Sequence, residues 1–258
     1  MNTLNRRNIW LVVKTFILVI ILIGIKLILH FFGFEVISIN ALFSGIVAGN
    51  VFLMGFLLSG VLSDFKEAEK IPGEISSNLS AIYDEFLTIY ENKQSLIAKN
   101  GMLQMQKLSE DLVQWFHKKI KTRIILRQIR GINHLVGELE NETQATFIVR
   151  LKNEATSLKK TIIRTDTIRD TDFIASGYLI ATIVTLLLCL GLTLAKIEPY
   201  YESLFFTAVI SFLMIFLLVL IHDLDNPFNY SNKFSAENVS LYPLERIIED
   251  IKENNSNI

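Results

Sequence analysis

The sequence contains little of what a crosslinked or metal-stabilised fold requires. One cysteine, Cys189, is present among 258 residues, together with four prolines and 12 glycines. A single cysteine excludes an intrachain disulfide framework, and no Cys/His spacing fits a structural zinc site. Cys189 lies inside an apolar run, so we interpret it as a small buried hydrophobe.

A strong charge of one sign and the common catalytic motifs are also absent. The chain has 25 Lys and Arg against 26 Asp and Glu, a net charge of −1. Nucleic-acid binding needs a basic surface, so we expect no nucleic-acid partner. The sequence has no nucleophile elbow, P-loop, zinc-protease helix, kinase set or dinucleotide loop, and its four histidines are dispersed. It predicts no enzyme, no cofactor and no bound metal.

Hydrophobic residues, by contrast, are abundant: they make up 51% of the chain, while 20% of residues are charged. Four apolar segments are long enough to cross a hydrocarbon core of about 30 Å as helices. The predicted fold class is therefore an all-α integral membrane protein, with four transmembrane helices plus a helical cytoplasmic bundle. The four predicted spans are Ile9–Phe32, Val36–Leu62, Phe173–Ala195 and Leu204–Ile221.

The distribution of basic residues predicts the topology. Lys196 is the only basic residue in the two short connections between paired spans, and nearly all others lie in the tails or the middle segment. The positive-inside rule then places both termini and the middle segment in the cytoplasm of a cell-membrane protein. The predicted organisation is a tail with the first two spans (1–62), a cytoplasmic bundle (63–172), two further spans (173–221) and a cytoplasmic tail (222–258).

The middle segment shows apolar residues at helical spacing in three stretches. We predict helices there, with loops near Lys99–Gly101 and Gly131–Glu142. The densest basic cluster, His117–Arg123, is either a solvated helix face, a contact for anionic lipid headgroups or a positive lining for ions. The apolar residues at helical spacing are Leu79, Ile82, Phe86, Ile89, Tyr90, Leu103, Leu108, Leu112, Trp115, Phe116, Phe147, Ile148, Leu151, Ala155 and Leu158.

The second span carries a stripe that merits a functional hypothesis. At 100° per residue, the six residues of this stripe fall within about 80° of one another around the helix axis, whereas Asn50 projects from the opposite side. Gly45 and Gly49 form a G-x-x-x-G that permits close helix packing. The phenylalanines are either packing residues or a hydrophobic constriction, and a constriction requires several copies of the chain around an axis. The stripe comprises Gly45, Ala48, Phe52, Phe56, Ser59 and Ser63.

Span one contains ionisable residues, which in membranes often indicate function. Lys26 and His30 lie four residues apart near its outer end, and Lys14 lies within it. We expect Lys26 and His30 to extend to the interface, since long cationic side chains commonly do so. A secondary transporter is the alternative, but four spans without inverted repeats do not favour it.

Two stretches resemble the bestrophin family of ion channels. In GFLLSGVLSDFKEAEKIPGEI (Gly55–Ile75), the end of the second span and the turn after it match the family's motif without a gap, with Pro72 in place of an aromatic residue. The segment HDLDNPFNYSNKFSAENVSLYPLERIIEDI (His222–Ile251) is similar to the family's N-P-F turn, polar loop and short helix after the last span. The matching motif residues are Glu67, Ala68 and Gly73 in the first stretch.

The resemblance implies a homopentamer in membrane lipid, with one central pore that passes monovalent ions and is lined by span two. The family's neck of three apolar residues, one turn apart, would fall on Ala48, Phe52 and Phe56. Ser59 and Ser63 would continue the pore lining. Because most characterised members conduct anions, the resemblance implies permeability to chloride. A cation-permeable channel, or a non-conducting scaffold or signalling adaptor acting through the cytoplasmic helices, remains an alternative.

The stretch after span four raises the question of a metal site. Its residues Asp223, Asp225, Asn226, Pro227 and Phe228 match the family's landmark, and we interpret them as structural. Pro227 helps to end the helix and Asn226 forms an Asx turn. The two aspartates pair with basic groups or cap backbone N–H groups of the cytoplasmic bundle, within the chain or across a subunit boundary. In calcium-gated relatives the following carboxylates complete a calcium site. Ser231 and Phe234 stand in their places here, so no calcium site is predicted.

Overall fold

A computed structural model describes residues 4–170, 175–230 and 238–256. Nearly all of this part of the chain is helical, as the all-α prediction requires, with two very short strands and one 3-10 turn at Leu139–Asn141. The helices are α1 (Leu4–Phe31), α2 (Ala41–Ala68), α3 (Ile71–Lys93), α4 (Leu96–Phe116), α5 (Thr122–Glu138), α6 (Ala145–Asp170), α7 (Ala175–Leu194), α8 (Tyr200–Leu224) and α9 (Tyr242–Ser256).

The chain divides into two compact units. The first, which we call the span unit, comprises Met1–Phe65, Asp172–Pro227 and Asn232–Asn238. The second, the bundle unit, comprises Lys66–Thr171, Phe228–Ser231 and Val239–Ile258. Within the described residues, four helical segments are long and apolar enough to cross a membrane, and they lie in α1, α7, α8 and the run that begins with α2. The protein is an integral membrane protein.

In the span unit, helices α1, α7 and α8 pack against one another. The predicted second span began too early, at Val36. Instead, Ile37–Ser38 forms a strand, β1, that pairs in parallel with β2 at Ala195–Lys196. Helix α2 follows from Asn40, whose side-chain oxygen accepts a hydrogen bond from the Phe43 N–H at 3.0 Å. Asparagine stabilises a helix start in this way because it satisfies an orphan backbone donor.

In the bundle unit, α3, α4, α5 and α6 form a closed ring of neighbours, each packing on the next, and α9 packs on α3 and α4. Most of the apolar residues at helical spacing are buried, including Leu79, Phe86, Leu112 and Trp115. Leu103 differs from them, because more than half of its surface is exposed. Its register on α4 points outward, while Met102 and Met105 face the core.

The loop predicted at Lys99–Gly101 is also wrong, since these residues lie inside α4. The turn comes earlier, where Gln94 adopts the left-handed conformation at φ 49° and ends α3. Ser95 then begins α4 by accepting a hydrogen bond from the Ala98 N–H at 3.1 Å. The second predicted loop, from Gly131, begins too early as well, because α5 continues to Glu138.

Gly101 has a packing role rather than a turn role, which gives a first prediction. A Cβ at this position would stand 2.5 Å from the ring of Phe86, which is fully buried. We expect Gly101→Ala to lower the free energy of unfolding by about 1–3 kcal/mol, because overpacking outweighs the helix preference of alanine. Denaturant titration of the purified protein in detergent measures the change.

The matched control is Gly137→Ala on α5, where no described atom lies within 4 Å of the added Cβ. That change should leave stability equal or higher by about 0.5–1 kcal/mol, since alanine is the better helix former. Equal effects of the two substitutions would contradict the assigned role of Gly101.

Candidate pore-lining site

The predicted stripe of α2 lies on the open side of the helix. Phe52 and Phe56 are 79% and 65% exposed in the single chain, a large exposure for phenylalanines on a helix that otherwise packs. Ala48, Ser59 and Ser63 are exposed on the same side. No described side chain of the same chain therefore covers this stripe, and in a membrane protein such a face contacts lipid, another subunit or a water-filled path.

The opposite side of α2 attaches the helix to the rest of the span unit. Asn50 is 2% exposed, and its amide donates to the Thr185 hydroxyl of α7 at 2.9 Å. The same amide lies 3.6 Å from the sulfur of Met214 on α8. Met54 and Leu57 are buried on this side as well. A polar pair within an apolar bundle fixes the rotation of α2, because its loss would leave a buried amide unsatisfied.

Gly45 and Gly49 do not pack closely within one chain. No described atom lies within 4 Å of the place where a Cβ would stand at either glycine. The tight glycine contact of the span unit is elsewhere: a Cβ on Gly191 of α7 would stand 2.9 Å from the Phe43 ring of α2. Close packing at Gly45 and Gly49 stays a prediction that concerns a neighbouring subunit.

Lys26, an ionisable residue within span one, does not extend to the membrane interface as the sequence predicted. Its side chain is fully buried rather than extended to an interface. The ammonium donates to the carbonyl oxygens of Leu192 at 2.9 Å and Ala195 at 2.8 Å, and lies 3.5 Å from the Glu35 carboxylate. The last carbonyls of a helix have no partner within it and carry partial negative charge. Lys26 therefore caps α7 from a different helix.

Glu35 extends this cluster to the neighbouring aromatic residues. Its second oxygen lies 2.8 Å from Nδ1 of His30, so one carboxylate contacts both Lys26 and His30. The His30 ring stacks on Tyr200, the first residue of α8, with centroids 3.7 Å apart. The arrangement joins α1, the α7 end and the α8 start.

Comparisons with known proteins identify the architecture. No protein-family model and no curated protein matches the sequence. Solved structures do match. A variant of a bacterial bestrophin homolog from Klebsiella pneumoniae superposes with a TM-score of 0.75 at 16% identity, covering 95% of this chain and 98% of that one. A second structure of a bestrophin homolog from this organism gives 0.74 at 15%, covering 96% and 98%. The chain has a bestrophin-like fold.

A third solved structure, described as a membrane protein, gives a TM-score of 0.77 at 16% identity over 95% of this chain and 98% of that one. The likeness therefore covers nearly the whole chain and both units of the bestrophin-like fold. At such low identity it establishes the fold alone.

The landmark after the last span connects the two units of the bestrophin-like chain. Helix α8 continues to Leu224, three residues beyond the predicted end of the span, and Pro227 follows it. Asp223 and Asp225 are half-buried. The predicted Asx turn at Asn226 is wrong, because its side-chain oxygen is buried and accepts no hydrogen bond from the described residues. Two residues further along, the Tyr230 N–H donates to the Phe228 carbonyl at 3.0 Å.

Phe228 is the landmark residue with the clearest role, which the sequence pattern did not assign. It is fully buried in the bundle unit, and its ring centroid lies 5.4 Å from that of Phe116. Tyr230 packs edge-to-face on the same Phe116 ring and donates to the Val239 carbonyl at 2.7 Å, and burial raises the pKa of its hydroxyl. The aromatic residue after the proline thus fixes the tail into the bundle core.

The described residues contain no group of three or more His, Cys, Asp or Glu side chains that could hold a metal ion. Ser231 and Phe234, which replace the carboxylates of a calcium site in the resemblance, lie outside the described residues. The absence of a calcium site therefore stays a prediction from the sequence.

Proposed function

We propose that the protein is a homopentameric bestrophin-like ion channel of the cell membrane, permeable to anions such as chloride. In this proposal α2 from each of five subunits lines a central pore, and both termini and the bundle unit lie in the cytoplasm. Ala48, Phe52 and Phe56 form the neck, and Ser59 and Ser63 line the wider path below it.

The observation that carries the proposal is the uncovered stripe of α2. One helix per chain cannot enclose a path, so a pore requires a cyclic oligomer. The buried Asn50–Thr185 hydrogen bond holds the opposite side of α2 against α7, which directs the stripe away from its own subunit. Around a symmetry axis, five copies of Phe52 and of Phe56 would form two stacked apolar rings.

Apolar rings control conduction through the cost of wetting. Water leaves a narrow hydrophobic constriction, and an ion cannot pass without its hydration shell. The stripe carries no charged residue between Ala48 and Ser63 that would stabilise a dehydrated ion. The Phe rings then act as a gate with weak selectivity of their own, and the preference for anions rests on the resemblance to other bestrophins.

Two measurements on the purified protein test the proposal. Native mass measurement in detergent should give five chains per particle. Reconstitution in a planar bilayer with a potassium chloride gradient should give currents, and the sign of the reversal potential distinguishes an anion pathway from a cation pathway. Stable pentamers that conduct under no voltage would favour the scaffold alternative. A monomeric particle would remove the basis for a pore.

A further inference from the structure

Helix α5 presents an uninterrupted basic stripe on its outer side. Arg123, Arg127 and Arg130 are exposed, as is His134 in the same row. At 100° per residue these four positions fall within about 60° of one another, directly opposite the buried residues of the helix. Ile125, Ile129 and Ile132 are among those buried residues. The stripe is therefore a defined surface and not a consequence of composition.

Two carboxylates of neighbouring helices reach α5, but they contact Thr122 and Gln128 rather than an arginine of the stripe: Asp166 accepts from the Thr122 hydroxyl and Asp111 from the Gln128 amide. The chain has no Asp or Glu between Asp111 and Glu138, and that interval holds six Lys and Arg residues. Within the part of the chain that the structure describes, none of the three arginines forms an ion pair, whereas His134 pairs with Glu138 at 3.1 Å. Three aligned guanidinium groups offer bidentate sites for carboxylates or other oxyanions.

Helix α9 presents the complementary surface. Its buried residues are Leu244, Ile248 and Ile251, and its outer side carries four exposed carboxylates with one cation, Arg246, among them. In the described residues none of these carboxylates forms an ion pair, while Lys252 at the margin pairs with Glu110 at 3.0 Å. The exposed carboxylates are Glu245, Glu249, Asp250 and Glu253.

The two charged surfaces lie on opposite sides of the bundle unit. Its helices form a closed ring in the order α3, α4, α5, α6, and α9 packs on the α3 and α4 side. Helix α5 lies across the bundle from α3, so the surfaces cannot meet within one chain. A head-to-tail ring of subunits, however, brings opposite sides of neighbouring copies together, because its interfaces are heterologous.

We propose that the basic stripe of α5, formed by Arg123, Arg127 and Arg130, docks on the acidic face of α9 in the next copy of the chain. This inference rests on the ring assembly of the proposed function and adds the surface through which adjacent bundle units recognise each other. The spacing is suitable: successive side chains on both helices are three or four residues apart, about 4.5–6 Å along the axis. Opposite charges at this spacing fix the register of the contact.

Cross-linking between engineered cysteines tests the contact. In a Cys189→Ser background, Arg127→Cys and Glu249→Cys are introduced into the same chain and treated with a short bifunctional thiol reagent. A head-to-tail contact predicts a ladder of covalent oligomers that extends to five chains on a denaturing gel. The two positions lie on opposite sides of one bundle, so a ladder can form only between copies.

Each single-cysteine variant is a control, because a heterologous contact never brings Arg127 near Arg127 or Glu249 near Glu249. A second control pairs Arg127→Cys with Glu91→Cys, which replaces another exposed carboxylate that lies on α3 instead of α9. None of the three should give more than a trace of ladder. Native mass measurement on the same samples shows whether the ring itself is present.

Charge reversal tests the electrostatic basis. In the cross-linking background, Arg123→Glu with Arg130→Glu should slow ladder formation at least about tenfold, because like charges would then face each other. Adding Glu245→Arg and Glu253→Arg should restore the rate. The matched control, Lys107→Glu, reverses an exposed charge on α4 and should leave the rate unchanged.

The outcomes separate the two proposals. Pentamers without a ladder, or a ladder that forms equally fast after charge reversal, would overturn the proposed contact between α5 and α9. The proposal of a pentameric channel would stand. If the charge-reversed variant changed the reversal potential but left the ladder unaltered, the arginines would line an ion path instead. If the arginines were needed for binding to vesicles of anionic lipid, and those vesicles did not reduce cross-linking, the stripe would contact the membrane surface. A monomeric particle would overturn the ring itself.

Discussion

Replacing Phe52 and Phe56 together by alanine should raise the single-channel conductance about tenfold, which corresponds to a barrier lower by about 1.4 kcal/mol. Both side chains are uncovered in the single chain, at 79% and 65% exposure. In a fivefold ring, the double substitution removes ten aromatic rings from the narrowest part of the path. The widened neck would stay wet, so ions would keep their hydration shell as they pass. Recordings in a planar bilayer under symmetric potassium chloride measure the change.

The matched control is Phe205→Ala with Phe206→Ala on α8, two phenylalanines that are also exposed in the single chain. They belong to a helix that does not carry the stripe, so the conductance should stay within the scatter of the unmodified protein. Native mass measurement must show pentamers for both variants, since a lost ring would abolish current for another reason. An unchanged conductance in the Phe52 and Phe56 variant, with pentamers intact, would falsify the proposal that these residues form the neck of the pore.

The candidate site could be recognised from the sequence because it depends on helical periodicity within one segment. Small and aromatic residues on one side of α2 and Asn50 on the other define two faces, whatever the helix packs against. In the structure, Asn50 is buried against Thr185, and Phe52 and Phe56 are exposed. Periodicity does not reveal what covers the open face, because that depends on other copies of the chain.

The features that the sequence did not predict depend on partners far away in the chain. Lys26 is capping the end of α7, more than 160 residues further along, through backbone carbonyls that carry no sequence signal. Gly101 looks like a turn residue until its neighbour Phe86 is known. The true turn at Gln94 and Ser95 has a recognisable signal, a serine N-cap, but the glycine nearby gave a stronger and misleading one.

Replacing Lys26 by methionine should lower the free energy of unfolding by about 3–5 kcal/mol, since removing one partner of a buried ion pair is strongly destabilising. Methionine has nearly the same length but no donor. The Ala195 carbonyl would lose the ammonium donor, and the Leu192 carbonyl would keep only the Thr207 hydroxyl, at 3.4 Å. Glu35, 8% exposed, would be left with His30 as its basic neighbour. For a protein of this size the melting temperature should fall by roughly 10 °C. Thermal and denaturant unfolding in detergent measure both quantities.

The same substitution at Lys14 is the control, because Lys14 lies on the same helix and is exposed. Lys14→Met should change stability by less than about 0.5 kcal/mol, as expected for a surface site. Adding Glu35→Gln to Lys26→Met should recover part of the loss, because the buried carboxylate charge then disappears with its partner. Equal stability of the Lys26→Met and Lys14→Met variants would contradict the capping role of Lys26. It would indicate that the ammonium lies at the interface and not in the buried position. The Lys26→Met, Glu35→Gln variant separates the contribution of the ion pair from that of the capping hydrogen bonds. With both charges removed, the loss of stability that remains comes from the missing hydrogen bonds to the Leu192 and Ala195 carbonyls.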